Sequence, residues 1–426
     1  MKQYQKIAVT AFALFSLFFG AGNLILPPLL GISAGNQWWL VTLGFALSAV
    51  VVPILGILAH GRLQGTIFDF AKKVSPAFSL VYSIVIYGIS ISLPSPRTAS
   101  VTHEMAVQPF FDVPSWGTSA VYFLLVLVFV LNRSKILNVI GKILTPGIIL
   151  ILLLMVVTLF IDFPWDVPQG RLGQPLVKGV LEGYQTFDAI GAVVVGGVII
   201  ISINLDHANA TYIEKKRLIR YAGLWAGAGL FLIYTALIIS GALVQGSFDG
   251  GVTRTALLSG MALLALGATG KGALAVLVAL ACFTTAVGIV TGTADFVKSR
   301  FGDSQKAYTL TAILGCALGV AMGQFNVAYI IAVALPALMF IYPITIVLIV
   351  LNVLPEKYAS ATVFRAVILT TILFSIPDFL ASIDLLDPQK GAFDWIPMNR
   401  YAMGWVLPAM VAFAFVNLVK KKAPLS

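Results

Sequence analysis

The chain alternates apolar runs of about 20 residues with short polar connections, and each run is long enough to carry a helix across a bilayer. Strict apolar–polar alternation, the mark of a membrane barrel, is absent. The pattern predicts an all-α polytopic membrane protein of twelve transmembrane helices, at roughly 7–31, 37–59, 73–95, 116–131, 137–161, 176–204, 218–245, 272–297, 308–323, 327–352, 362–382 and 400–419. The connection 251–268 has the character of a further short helix outside the spans.

Two of these runs are interrupted. In the first, Phe19-Gly20-Ala21-Gly22-Asn23 precedes Pro27-Pro28, so the run reads as helix, short unwound segment, helix. The prolines are expected within the first turn of the resumed helix, where the backbone N–H groups have no partner anyway. In the sixth run, Tyr184-Gln185-Thr186-Phe187-Asp188-Ala189-Ile190-Gly191 is a second irregular patch. These runs open two successive blocks of five helices, 1–161 and 176–352, and an odd number of spans gives the second block inverted topology. Two additional helices, 362–419, complete a single transporter domain. Interrupted helices at matching positions of inverted repeats mark the binding site of a secondary transporter.

Composition narrows the class. Of 426 residues, 59% are hydrophobic and 10% charged, against about 25% charged in soluble proteins, so a soluble fold is excluded. The net charge of +10 would suggest nucleic acid in a soluble protein, but its placement gives another meaning. With twelve spans, 20 of the 27 basic residues fall on the side of the N-terminus; Arg97, Arg171, Lys178, Arg254, Lys271, Lys390 and Arg400 fall on the other. The positive-inside rule then places both termini in the cytoplasm. Lys2 and Lys6 precede a first helix that lacks a small-residue cleavage site and reads as retained. Cys282 and Cys316 lie inside apolar runs and form neither a disulfide framework nor a metal signature. There is no phosphate-binding glycine loop, metal-ligand spacing or nucleophile elbow, so neither an enzyme nor an ATP-driven pump is expected.

The first interruption offers both charges of a zwitterion a partner. The first half-helix ends there with free carbonyls and the second begins with free N–H groups, which suit a cation and a carboxylate respectively. The bland alternative is that Gly20 and Gly22 only permit close helix packing. Asp188 lies midway along the sixth run, where a charge costs about 2.5–3.5 kcal/mol or more, so it should face a partner, a cavity or a proton. It reads as a substrate contact, a neighbour of a cation site, a proton carrier, or a cap on the second half-helix. Glu182 reads as solvated. Thr284 and Thr285 sit mid-span in Ala281-Cys282-Phe283-Thr284-Thr285, where their hydroxyls can bond the preceding turn or face an ion. Arg97 and Glu104, in a segment from Pro94 that ends or extends the third run on the outer side, are expected to pair across an outer gate, with His103 interfacial.

Three stretches carry a resemblance: Phe12 to Asn23 with Pro27-Pro28, Gly183-Tyr184-Gln185-Thr186-Phe187-Asp188-Ala189, and Pro96-Arg97-Thr98-Ala99 with Glu104. The chain resembles, over essentially its whole length, the bacterial branched-chain amino acid transporters (BrnQ type, the LIVCS family), which are similar in architecture to the LeuT fold of sodium-coupled symporters. The resemblance implies import of leucine, isoleucine and valine across the bacterial cytoplasmic membrane, with sodium as coupling ion and no other cofactor. Its partners would be the substrate and the lipid bilayer, without an ATP-binding subunit or nucleic acid. It implies that Gly20, Ala21, Gly22 and Asn23 hold the substrate, with the Ala21 and Gly22 N–H groups on its carboxylate. Tyr184, Thr186, Phe187 and Asp188 would line the substrate region, and Tyr87 would close over it. Ser16 and Phe19 carbonyls would share a sodium ion with Ala281, Thr284 and Thr285. Proton coupling through Asp188 or Glu182 is the alternative within this class; a channel or a non-transporting nutrient sensor is the alternative outside it.

Overall fold

The computed structural model describes residues 3–132, 136–194, 196, 211–386, 393 and 395–422. The expectations for the end of the sixth run and for Lys2, Arg133, Lys135 and Lys390 lie outside these residues. The described chain is mostly helical: α1 Gln3–Phe18, α2 Ala21–Ala34, α3 Trp38–Leu63, α4 Ile67–Ala71, α5 Pro76–Val107, α6 Ser115–Asn132, α7 Ile136–Asp162, α8 Pro175–Tyr184, α9 at 188–194, α10 Tyr212–Leu243, α11 Arg254–Arg300, α12 Gln305–Gly323, α13 Val327–Val353, α14 Ala361–Ser382 and α15 Val406–Lys422. Among the described residues, eight helices are long and apolar enough to cross a membrane, and three shorter apolar helices accompany them. Large apolar side chains such as Trp225, Leu232 and Phe415 face outward, as lipid-facing residues do.

Both interruptions are present. The first is shorter than expected: only Phe19 and Gly20 leave the helix, and Ala21 already begins α2. Pro27 and Pro28 are therefore not in the first turn of α2 but are its seventh and eighth residues. Lacking N–H groups, they leave the carbonyls of Asn23 and Leu24 without their usual helical donors. The second interruption spans Gln185–Phe187, between α8 and α9. Phe187 has φ of 61°, a left-handed conformation that a bulky residue holds only where its surroundings impose it.

α5 extends well beyond the predicted end of the third run. Pro94 restarts the helix after a bend at Leu93, and a wider turn with Gln108 N–H bonded to His103 O closes it. Pro94 and Pro96 sit in the first turn of the restarted segment, where proline is tolerated. In α11, Gly267 takes φ of 67°, which bends the helix and separates residues 254–266, the short outer helix read from the sequence, from the long apolar stretch after it. Glycine takes this conformation without the clash a Cβ would bring.

Two hydrophobic clusters make the core. One gathers Phe18, Phe19 and Leu24 to Leu26 of the first interruption with α6, α7, α10, α11 and α12. The other gathers Tyr184, Phe187, Ala189 and Ile190 of the second interruption with α13, α14 and α15. The two breaks thus meet at the seam between the clusters.

Candidate functional site

Asn23 is the hub of this seam. Its Nδ2 shares two N–H donors among four acceptors: Phe18 O at 2.6 Å, Asp188 Oδ1 and Oδ2 at 2.9 and 2.8 Å, and Tyr234 Oη at 2.9 Å. One amide thereby ties the end of α1, the start of α2, the start of α9 and the middle of α10. Asn23 and Asp188 are 3% and 7% exposed, so water does little to relieve these polar groups. Asp188 does not act as the cap of its own half-helix: the Thr186 hydroxyl accepts the Asp188 N–H at 3.2 Å, and the carboxylate turns to Asn23 instead. Thr186 in turn donates to Gly183 O at 2.8 Å.

The start of α2 is open. Gly20 is its N-cap and supplies no side-chain bond to the first N–H groups, those of Ala21 and Gly22. A methyl group placed on Gly20 would lie 3.6 Å from Thr285 Oγ1, so the first interruption and α11 are in contact. Thr284 and Thr285 hydroxyls donate to Ala281 O at 3.0 and 2.9 Å, the back-bonded arrangement open to them from the sequence. Their oxygen lone pairs remain for a cation, whereas the Ala281 carbonyl already receives two donors. Phe19 N–H bonds Phe15 O at 2.8 Å and its ring packs on Phe15, while Ser16 is half-buried one turn earlier on α1.

The expected pairing of Arg97 with Glu104 is not formed: because α5 continues as a helix, they stand about two turns apart. Arg97 turns inward, where Nη1 donates to Gln185 O at 2.7 Å and the guanidinium lies 5.2 Å from the Phe187 ring centroid. Glu104 instead accepts from the Thr255 hydroxyl and from Val327 N–H at 2.8 Å, tying together the starts of α11 and α13. Tyr87 lies roughly 15 Å along α5 from Arg97 and stacks on Phe296 at 4.3 Å, beside Arg300 near the end of α11. Tyr184 turns to α13 and stacks on Tyr342 at 4.4 Å, whose hydroxyl accepts Ala189 N–H at 3.2 Å.

Glu182, read as solvated, is bound by Arg254 through Nη2 at 2.6 Å and Nε at 3.0 Å, with both side chains about one-fifth exposed. Arg254, Glu104, Thr255 and Lys271 line a cavity of about 670 Å³. A double-mutant cycle on E182Q and R254Q, read by thermal unfolding in detergent, is expected to give a coupling of about 1–3 kcal/mol, above the range of exposed pairs. Additive effects would return Glu182 to a solvated role.

The sequence and fold have relatives. A model of the family described as branched-chain amino acid transport protein matches residues 3–423. The branched-chain amino acid transport system 2 carrier protein of Pseudomonas aeruginosa is 33% identical, over 97% of this chain and 95% of its own length. The branched-chain amino acid permease BraB of Bacillus subtilis is 32% identical, over 95% and 93%. Among solved structures, the inward-facing conformation of Mhp1 superposes with a TM-score of 0.63 over 98% of this chain and 92% of that one, at 12% identity. MhsT in complex with L-phenylalanine gives 0.53 over 97% of both chains, at 17% identity. At such identities the structural likeness speaks for the fold alone, whereas the family match spans nearly the whole sequence. The chain is a multi-pass membrane protein that belongs to the branched-chain amino acid transport protein family.

Proposed function

We propose that the protein is a secondary symporter that imports leucine, isoleucine and valine, driven by sodium and working by alternating access. The observation that carries this reading is the contact between the uncapped start of α2 and Thr285 of α11. It puts backbone donors for a carboxylate next to neutral oxygens for a small cation. The carboxylate would rest on the Ala21 and Gly22 N–H groups, and sodium on oxygens of Ser16, Phe19, Ala281, Thr284 and Thr285, with one or both threonine hydroxyls turning away from Ala281 O. Thr186, Phe187 and Asp188 approach from the second interruption. A cation moving down about 100 mV contributes roughly 2.3 kcal/mol to accumulation. Sodium and substrate that stabilise one closed state tighten each other reciprocally.

The same reading takes twelve spans, both termini in the cytoplasm, an inverted pair of five-helix repeats at 1–161 and 176–352, and two further helices at 362–419. Support comes from the positions of the two interruptions and from the asymmetry of the basic residues. A second reading, proton coupling, is favoured by the contact of the Asp188 carboxylate with Asn23, which puts a titratable group directly on the first break. In proteoliposomes with sodium and pH varied independently, leucine uptake is expected to follow sodium. Uptake unchanged without sodium, but lost with the pH gradient, would replace sodium by the proton. Thr285→Ala is expected to raise the sodium concentration for half-maximal uptake by at least roughly tenfold, a loss of about 1.4 kcal/mol or more. An unaltered sodium response would remove Thr285 from the ion site.

A further inference from the structure

Arg97 is an unusual residue to find at the seam. It is 4% exposed, in the middle of an otherwise uncharged stretch of α5, and only Nη1 has an acceptor, the Gln185 carbonyl. Among the described residues, Nε and Nη2 meet none, and no carboxylate lies within ion-pair distance of the guanidinium. Asp188, the nearby acid, turns both oxygens to Asn23 and acts on the guanidinium only through its charge, without a hydrogen bond. The free edge of the guanidinium lies against Gly22: a methyl group on Gly22 would lie 3.1 Å from Cζ and 3.3 Å from Nε, and would collide with Nη2. A full positive charge is therefore held against the positive end of the α2 dipole, beside N–H groups that no side chain caps. Donors converge there from two directions, and among the described residues no carboxylate lies within hydrogen-bond or ion-pair distance of the guanidinium.

We infer that Arg97 is a direct ligand of the substrate carboxylate, completing with the Ala21 and Gly22 N–H groups a site that demands a full negative charge. The inference rests on the amino acid transport proposed above and deepens it. A carboxylate at the start of α2 satisfies the guanidinium edge and the orphan N–H groups together. A guanidinium gives two parallel charge-assisted hydrogen bonds to one carboxylate, geometry that an ammonium cannot reproduce. Gly22 is required because any side chain there would occupy the guanidinium's place. Gln185 O and the Phe187 ring hold Arg97 from the other side, so the left-handed turn at Phe187 and the start of α2 are joined through the bound anion. Loading the substrate would thus fasten the two interruptions together at a second point beside the Asn23–Asp188 bond.

Leucine and leucinamide, which share side chain and ammonium group but differ in the carboxylate charge, separate this role from a structural one. Binding of each to purified protein is measured for the wild type, R97K, R97Q and R97Q/D188N, the last keeping the seam neutral in case R97Q alone does not fold. The wild type is expected to prefer leucine by at least roughly 100-fold. In R97Q the preference should fall below roughly tenfold, through weaker leucine and unchanged leucinamide, and in the double variant the ratio of the two affinities should fall likewise whatever D188N does to both, while R97K keeps part of it. A wild type that does not distinguish the two ligands, or variants that lose both in parallel, would overturn the inference and leave the transport reading standing. Absence of any leucine binding by the wild type would remove the transport reading, and the inference with it.

Discussion

Replacing Asn23 with alanine is expected to abolish leucine uptake and to lower the unfolding temperature, whereas Asp188→Asn should leave the fold nearly intact. The asymmetry follows from what each change leaves behind. Without the Asn23 amide, Asp188 loses the donor to both of its oxygens while remaining 7% exposed. Leaving a buried acceptor without its donor costs about 1–3 kcal/mol, and more for a charged one, because the abandoned charge cannot reach water. The Phe18 carbonyl and Tyr234 hydroxyl lose a donor in the same step. Asp188→Asn removes the charge instead and leaves an amide that still accepts from Asn23, so less is stranded. The double variant N23A/D188N should recover most of the stability lost by N23A but none of the uptake, since the joint between the two interruptions is gone. Thermal unfolding in detergent and uptake in proteoliposomes read the two effects separately. An N23A protein that melts and transports like the wild type would show that the hub is dispensable.

The interruptions were legible because each breaks a local rule. Gly20, Gly22, Asn23 and two prolines do not belong in an apolar span, and neither does a run from Tyr184 to Asp188. Their partners were not legible. Asn23 and Asp188 are separated by 165 positions, and no periodicity says that an amide on one will face a carboxylate on the other. The pairing of Arg97 failed for a definable reason: Pro94 and Pro96 leave open whether the span ends or continues there, since proline is equally at home in the first turn of a helix that restarts after a bend. Once α5 continues, Arg97 and Glu104 separate by two turns and each finds a partner on another element. Tyr87 followed from analogy rather than local chemistry, and its ring goes to Phe296. The left-handed Phe187 carries no mark in the sequence, since that conformation ordinarily selects glycine or asparagine. The threonine pair was legible as far as its spacing allowed, because a hydroxyl one turn after a carbonyl has that carbonyl within reach.

Gly241→Val is expected to leave little folded, transporting protein, although Gly241 touches none of the groups at the break. α2 and α10 meet there backbone to backbone. A Cβ on Gly241 would strike the Pro28 carbonyl oxygen and lie 2.8 and 2.9 Å from Pro28 C and Cα. From the other side, a Cβ on Gly31 would strike Ile238 O and lie 2.8 Å from Ala242 N. No side chain in this contact can swing aside, so the helices themselves must part. Overpacking a core ordinarily costs about 1–3 kcal/mol, and a wedge between two backbones belongs at or above the top of that range. The displacement also reaches the site. Pro28 is five residues from Asn23 on α2, Gly241 is seven from Tyr234 on α10, and the Asn23–Tyr234 bond of 2.9 Å spans the same pair of helices. Gly241→Ala, the smaller wedge, should therefore lose uptake more completely than its melting temperature suggests. Gly88→Ala is the control, since a Cβ there meets nothing within 4 Å on a helix where alanine is favoured, and it should melt no lower than the wild type. Equal uptake in G241A and G88A would mean that α2 can shift on α10 without disturbing the hub, and the close contact of the two helices would then serve packing alone.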